Sequence, residues 1–111
     1  MMDSKYTKLA ERKQWKKLTK IAEGKNIDDI IQVAAACGLG RDEDPYNILV
    51  DLTAHKEQAV QLAAINGLGE CRHSIESQIT RLMWLSERNS GNTEMTGAIS
   101  RAVAKLRAAK K

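Results

Sequence analysis

Phenylalanine is absent from the 111 residues, and aromatics make up only 4% of them. A core built around large rings is thereby excluded. Ala, Leu, Ile and Val must fill it, which suits closely packed helices. There is one proline, Pro45, so long uninterrupted helices are expected. Cysteines number two, Cys37 and Cys71. That is too few for a disulfide scaffold, and a reducing cytoplasm is the expected compartment. No apolar run approaches the ~20 residues of a membrane span. No signal-peptide pattern is expected at the front, where Lys5, Lys8, Glu11 and Arg12 interrupt the first apolar residues.

What remains suffices for one domain, residues 1–111, with a core of its own. Hydrophobic residues form 42% of the chain and the formal net charge is +4. That charge is unevenly placed. Residues 1–25 carry eight Lys/Arg against three acids, residues 26–60 two against seven, and residues 61–111 eight against four. Both ends are basic and the middle is acidic. Such a pattern governs solubility and association rather than fold.

The most informative feature is self-similarity. Residues 31–40 read Ile-Gln-Val-Ala-Ala-Ala-Cys-Gly-Leu-Gly, and residues 60–69 read Val-Gln-Leu-Ala-Ala-Ile-Asn-Gly-Leu-Gly. Six of these ten positions are identical at an offset of 29. A third, degenerate copy begins at Met95, at an offset of 35 from the second. It sets Ala34, Ala63 and Ala98 in one slot, and Gly38, Gly67 and Ala102 in another. On a helix over 57–71, Val60, Ala63, Ala64, Gly67, Leu68 and Cys71 share a broad face. Glycine in a helix costs about 1 kcal/mol against alanine, and close helix packing is the expected compensation. Gly40 and Gly69, near their helix ends, fit left-handed caps.

The remaining elements complete three antiparallel helical pairs, about six helices in all. A long basic helix spans 4–23. Asn26 caps the next, with Asp28 and Asp29 complementing its dipole. Asp44 before Pro45 reads as a helix start, and that helix ends near Ala54. A helix over 74–88 carries Ile75, Ile79, Leu82, Met83 and Ser86 on one face. Asn92 or Thr93 caps the last helix. The pairs fall roughly at 4–40, 44–70 and 74–108. Each leaves an apolar face that only a neighbouring pair can cover, so the expected fold is all-α, a short right-handed α-solenoid.

The run Val60-Gln61-Leu62-Ala63-Ala64-Ile65-Asn66-Gly67-Leu68-Gly69-Glu70-Cys71 resembles the second helix of HEAT-like repeats, especially the short type named after phycobilisome lyases. Residues 31–40 resemble it equally, and the resemblance covers roughly 26–107. The Arg that follows Val in that family is Gln32, Gln61 and Thr96 here, so no inter-repeat Asp–Arg ladder is carried over. The resemblance implies a scaffold that binds a protein along a groove lined by the second helices; a minority of such proteins act on bilins, and a distantly similar solenoid class excises alkylated bases, with no motif of either carried over to residues here.

The outward face of those helices is expected to carry Asp29, Gln32 and Ala36, then Gln58, Gln61, Ile65 and Arg72, then Thr96, Ser100 and Arg107. Trp84 lies off the apolar face of its own helix. It is expected to pack under the neighbouring repeat; exposed, it would be a binding hot spot. These residues supply no general base or nucleophile. Cys71 and His73 are two ligands, short of a zinc site, and a buried thiol is inert. Asp42, Glu43 and Asp44 read as helix-start acids. No catalytic residue, metal or cofactor is therefore expected. Self-association is a further possibility. The alternative reading is nucleic-acid binding by the basic terminal helices, opposed by the acidic middle. In the leading reading Lys5, Lys8, Lys13, Lys16, Lys105, Lys110 and Lys111 keep the solenoid ends soluble.

Overall fold

Seven helices and no strand account for the described residues, 5–110, of the computed structural model. They are α1 (Lys5–Glu11), α2 (Trp15–Ala22), α3 (Ile27–Cys37), α4 (Glu43–Leu52), α5 (Gln58–Glu70), α6 (Ile75–Arg88) and α7 (Thr93–Lys110). Residue 4 and Lys111, which the sequence reading includes in the first helix and the last basic cap, lie outside the described residues, as does the side chain of Lys110.

The expected first helix is two helices, which raises the count from six to seven. The break has a clear cause. Tyr6 and Trp15 are nine residues apart, and at roughly 100° per residue they would leave opposite sides of a continuous helix. Both are buried, as are Ala10 and Leu18. The chain therefore turns between them. Lys13 takes a left-handed conformation (φ 57°), its N–H donates to Ala10 O, and Gln14 N–H donates to Leu9 O at 2.8 Å. This is a Schellman closure with lysine where glycine is usual.

The capping expectations hold at two sites. Asn26 Oδ1 accepts from Asp29 N at 3.0 Å, and Asn92 Oδ1 accepts from Met95 N at 3.1 Å. At α4 the start is earlier than expected. Asp42 is the flanking extended residue and makes no side-chain cap bond, while Asp44 and Pro45 sit inside the first turn. Proline is tolerated there because first-turn N–H groups lack intrahelical acceptors. Its buried ring lies against Gly40, where an added methyl would sit 2.3 Å from Pro45 Cγ. Gly40 and Gly69 are not left-handed caps: no described glycine has positive φ. Close approach is what requires them.

Helices α3, α5 and α7 lie side by side. The contacts of α5 with α3 and with α7 are the most extensive in the molecule. Against this row α2 packs on α3, α4 packs on both α3 and α5, and α6 packs on α7. Helix α1 closes over α2 and α3. Leu18, Ile30, Leu49, Ile65, Leu68, Leu82, Ile99 and Leu106 are fully buried between the layers.

Burial along the row reveals a register that differs from the sequence match. From Val33 onward the buried positions of α3 and α5 superpose at an offset of 31 rather than 29, while the fully buried Ile30 and Val60 fall opposite the half-buried Gln61 and Asp29. Val33, Ala34, Ala36, Cys37, Gly38 and Gly40 correspond to Ala64, Ile65, Gly67, Leu68, Gly69 and Cys71. The exposed Asp28, Ala35, Leu39 and Arg41 correspond to the exposed Ala59, Asn66, Glu70 and Arg72. Between α5 and α7 the offset of 35 holds: Val60, Ala64, Gly67, Leu68 and Cys71 match Met95, Ile99, Ala102, Val103 and Leu106.

The helix-to-helix contact repeats in this register. A methyl at Gly38 would lie 3.4 Å from Gly67 Cα, and one at Gly69 would lie 3.0 Å from Ala102 Cα. Gly38 and Gly69 are equivalent, and so are Gly67 and Ala102. The identity match had placed Gly38 and Gly67 in one slot. They face each other instead.

Candidate functional site

The side of the α3–α5–α7 row away from α2 and α4 holds a shallow groove of about 340 Å³. Ile31 and Ala35 line it from α3, Ala63, Asn66, Gly67 and Glu70 from α5, and Lys105 from α7. Corresponding positions form levels across the helices. One level is Asp28, Ala59 and Glu94. The next is Ile31, Leu62 and Gly97, then Ala35, Asn66 and Arg101, then Leu39, Glu70 and Lys105. The first central level is apolar on α3 and α5 and bare at Gly97 on α7; the second runs from small Ala35 through polar Asn66 to cationic Arg101.

Electrostatics at the far level is specific. Lys105 Nζ donates to Glu70 Oε2 at 2.5 Å, with both side chains about half exposed. That hydrogen bond holds the Glu70 carboxyl below its ordinary range, against a smaller opposing effect of burial. Lys105 is thus a groove residue rather than an end cap. Arg41 Nη1 donates to Gly40 O at 2.8 Å and to Leu39 O at 3.2 Å, and reaches Glu70 O of the next helix at 3.4 Å. It satisfies carbonyls at the ends of two helices at once.

The sequence-selected residues do not gather on this groove. Asp29 is half-buried and accepts from Tyr6 Oη at 2.6 Å, which fastens α1 to α3. This bond, followed by desolvation, raises the phenol above its ordinary range. Gln32 is exposed on α3. Gln58 Nε2 donates to Glu94 Oε1 at 2.7 Å, and its Oε1 accepts from Asn92 Nδ2 at 2.8 Å, clamping the starts of α5 and α7. Gln61 Nε2 donates to His55 O. Ile65, expected outward, has no exposure at all, and Ala36 is buried as well. Arg72 is exposed just beyond α5. Ser100 and Arg107 are exposed on α7 and line a separate cavity of about 270 Å³ with Met83, Ser86, Ile99, Val103 and Ala104. Trp84 packs under no neighbour: it is 53% exposed on α6, with the Arg88 guanidinium 4.8 Å from its ring.

The misplacement has a physical reason. Helix α5 is packed from both flanks, by α3 and by α7, so its buried arc is unusually wide. The face left open centres on Leu62 and Asn66, one residue on from the polar Gln61 that the sequence pattern favours. Polarity was the wrong signal on this helix. The missed groove residues are Ile31, Ala35, Ala63, Asn66, Gly67, Glu70 and Lys105.

Helix α6 also departs from expectation. Met83 is 48% exposed rather than in the core. Gln78 is fully buried in its place, with Nε2 donating to Cys71 O at 2.8 Å and to His73 O at 2.5 Å. Its Oε1 has no partner.

Both cysteines are free and buried. Burial pushes the Cys37 thiol up to about 12, and it pushes Cys71 up as well. Neither thiol should react with an alkylating reagent at pH 8 in the folded chain, and both should react in urea. Rapid labelling of native Cys71 would contradict this placement. His55 Nδ1 accepts from Glu57 N at 3.0 Å, and His73 stacks at a tilt on Tyr46 with 5.3 Å between centroids. Among the described residues no group of three or more His, Cys, Asp or Glu could hold a metal ion, and no helix is long and apolar enough to cross a membrane.

Comparison with known proteins finds no matching family model, no similar curated protein and no similar solved structure.

Proposed function

We propose that this chain is a non-enzymatic interaction module: a short right-handed α-solenoid of three HEAT-like helical pairs that binds a protein segment in the groove across α3, α5 and α7. The repeated close contact, Gly38 on Gly67 and Gly69 on Ala102, supports the solenoid reading. The groove itself carries the functional reading. It is concave and lined by small and apolar side chains, with a charged rim at Glu70 and Lys105. That composition suits a peptide or helix laid against it.

Its chemistry supports binding over catalysis. Glu70, the carboxylate in the groove lining, is held ionised by Lys105 and is poorly placed to serve as a general acid. The thiols are buried and protonated. A photoactivatable benzophenone side chain at Ala35 or Ala63 should capture a protein from extract of the native source. The same group at exposed Lys17 on α2 should not. Equal capture at Lys17, or none in the groove, would overturn the assignment.

A further inference from the structure

We infer that the segment bound in this groove presents a carboxylate to Arg101, with apolar side chains set against Ile31, Ala35, Leu62 and Ala63. This rests on the groove being the binding surface and specifies what it binds: an acidic amphipathic segment.

The argument starts from the levels across the row. Ile31 and Leu62 occupy one level on α3 and α5, and both are half-buried. The third residue of that level is Gly97, which has no side chain to continue the apolar strip. The Arg101 guanidinium fills the place: its Nη1 lies 3.5 Å from where a methyl on Gly97 would be. A cation therefore sits where the first two repeats offer an alkyl group.

The balance of charge around it is decisive. Lys105, one turn further on, is already neutralised by Glu70. Arg101 is exposed and forms no ion pair among the described residues. It is an unpaired cation on α7, one turn before the groove-lining Lys105. Guanidinium is a strong, geometrically selective partner for a carboxylate, through two parallel N–H donors.

The N-terminal ends of the row carry charges of both signs. Asp28 and Glu94 stand at the N-terminal level of α3 and α7, and both are exposed. Lys25 and Lys56 stand beside them at the starts of α3 and α5, so the charge at that end is mixed. Arg101, without a carboxylate partner of its own, is the place offered to the acid of the ligand, and the strip of Ile31, Ala35, Leu62 and Ala63 receives its apolar residues. Charge placement fixes orientation in such an interface more than it adds raw affinity.

The test uses a displayed library of helical 16-residue peptides, selected on the full chain. The strongest selected peptide is synthesised with a fluorophore, and its affinity is read by polarisation. Ala63→Trp fills the groove and should abolish binding. Arg101→Gln, at an exposed position that the fold does not depend on, should weaken binding about tenfold. Changing the acidic residue of the peptide to its amide should cost the same on the native chain and nothing further on Arg101→Gln. Binding lost with Ala63→Trp but indifferent to Arg101→Gln would refute the carboxylate and leave the groove standing. Binding indifferent to Ala63→Trp would refute both.

Discussion

Gln78→Glu should lose several kcal/mol of stability at neutral pH and regain part of it on acidification. Gln78 is fully buried, and its Nε2 serves two carbonyls, Cys71 O and His73 O. These belong to the turn that joins α5 to α6. Glutamate replaces that donor with an oxygen aimed at two other oxygens, in a site with no water access. Burial and facing carbonyls both disfavour the charged form, so the folded-state pKa of the new carboxyl rises above its unfolded value. The sign follows from linkage. A raised carboxyl contributes fully below the unfolded pKa, about 4.3. Its contribution falls by about 1.4 kcal/mol per pH unit until the folded pKa is reached. Even the protonated form has a single O–H, so one carbonyl stays orphaned at a cost of about 1–3 kcal/mol. Urea unfolding at pH 4.5 and pH 7 measures the difference. Equal midpoints at the two pH values would show that the side chain escapes to solvent.

Gly67→Leu should cost about 3 kcal/mol or more and lower the melting temperature by more than about 10 °C. The first added carbon would lie 2.6 Å from Leu49 Cδ2 and 2.9 Å from the Ala34 carbonyl oxygen. The leucine end can swing away. The carbonyl belongs to α3 and cannot move without moving that helix. Even Gly67→Ala meets this obstacle, and its gain in helix propensity of about 1 kcal/mol works against the clash. Gly97→Ala is the control. It too lies inside a helix, and its nearest neighbour is the flexible Arg101 Nη1 at 3.5 Å. It should be neutral or stabilising by up to about 1 kcal/mol. A melting temperature for Gly67→Leu matching that of the native chain would mean that α3 and α5 do not touch there.

Local chemistry was legible in the sequence, and relations between distant residues were less so. The Asn26 and Asn92 caps depend on a side chain and a backbone N–H three residues away. The break at Lys13 lacks glycine or proline to mark it, yet the incompatible directions of Tyr6 and Trp15 were present in their spacing. The shift from 29 to 31 was harder to see. Alanine and glycine recur both where a helix faces its core and where it faces its neighbour, so identity alone aligned the two halves of one contact. The groove was missed for a related reason. Leu62 and Ala63 look like core residues, and a helix flanked on both sides exposes whatever remains.

The two glycine contacts have a mechanical meaning as well. Helix α5 is the element joined extensively to both α3 and α7, and α6 is held chiefly by α7. The seams α3–α5 and α5–α7 thus lie on either side of one helix. Widening the seam at Gly69 and Ala102 would release α6 and α7 as a unit while α1 to α5 kept their own core. Denaturation would then change from one step to two, with hydrogen exchange fastest beyond the opened seam.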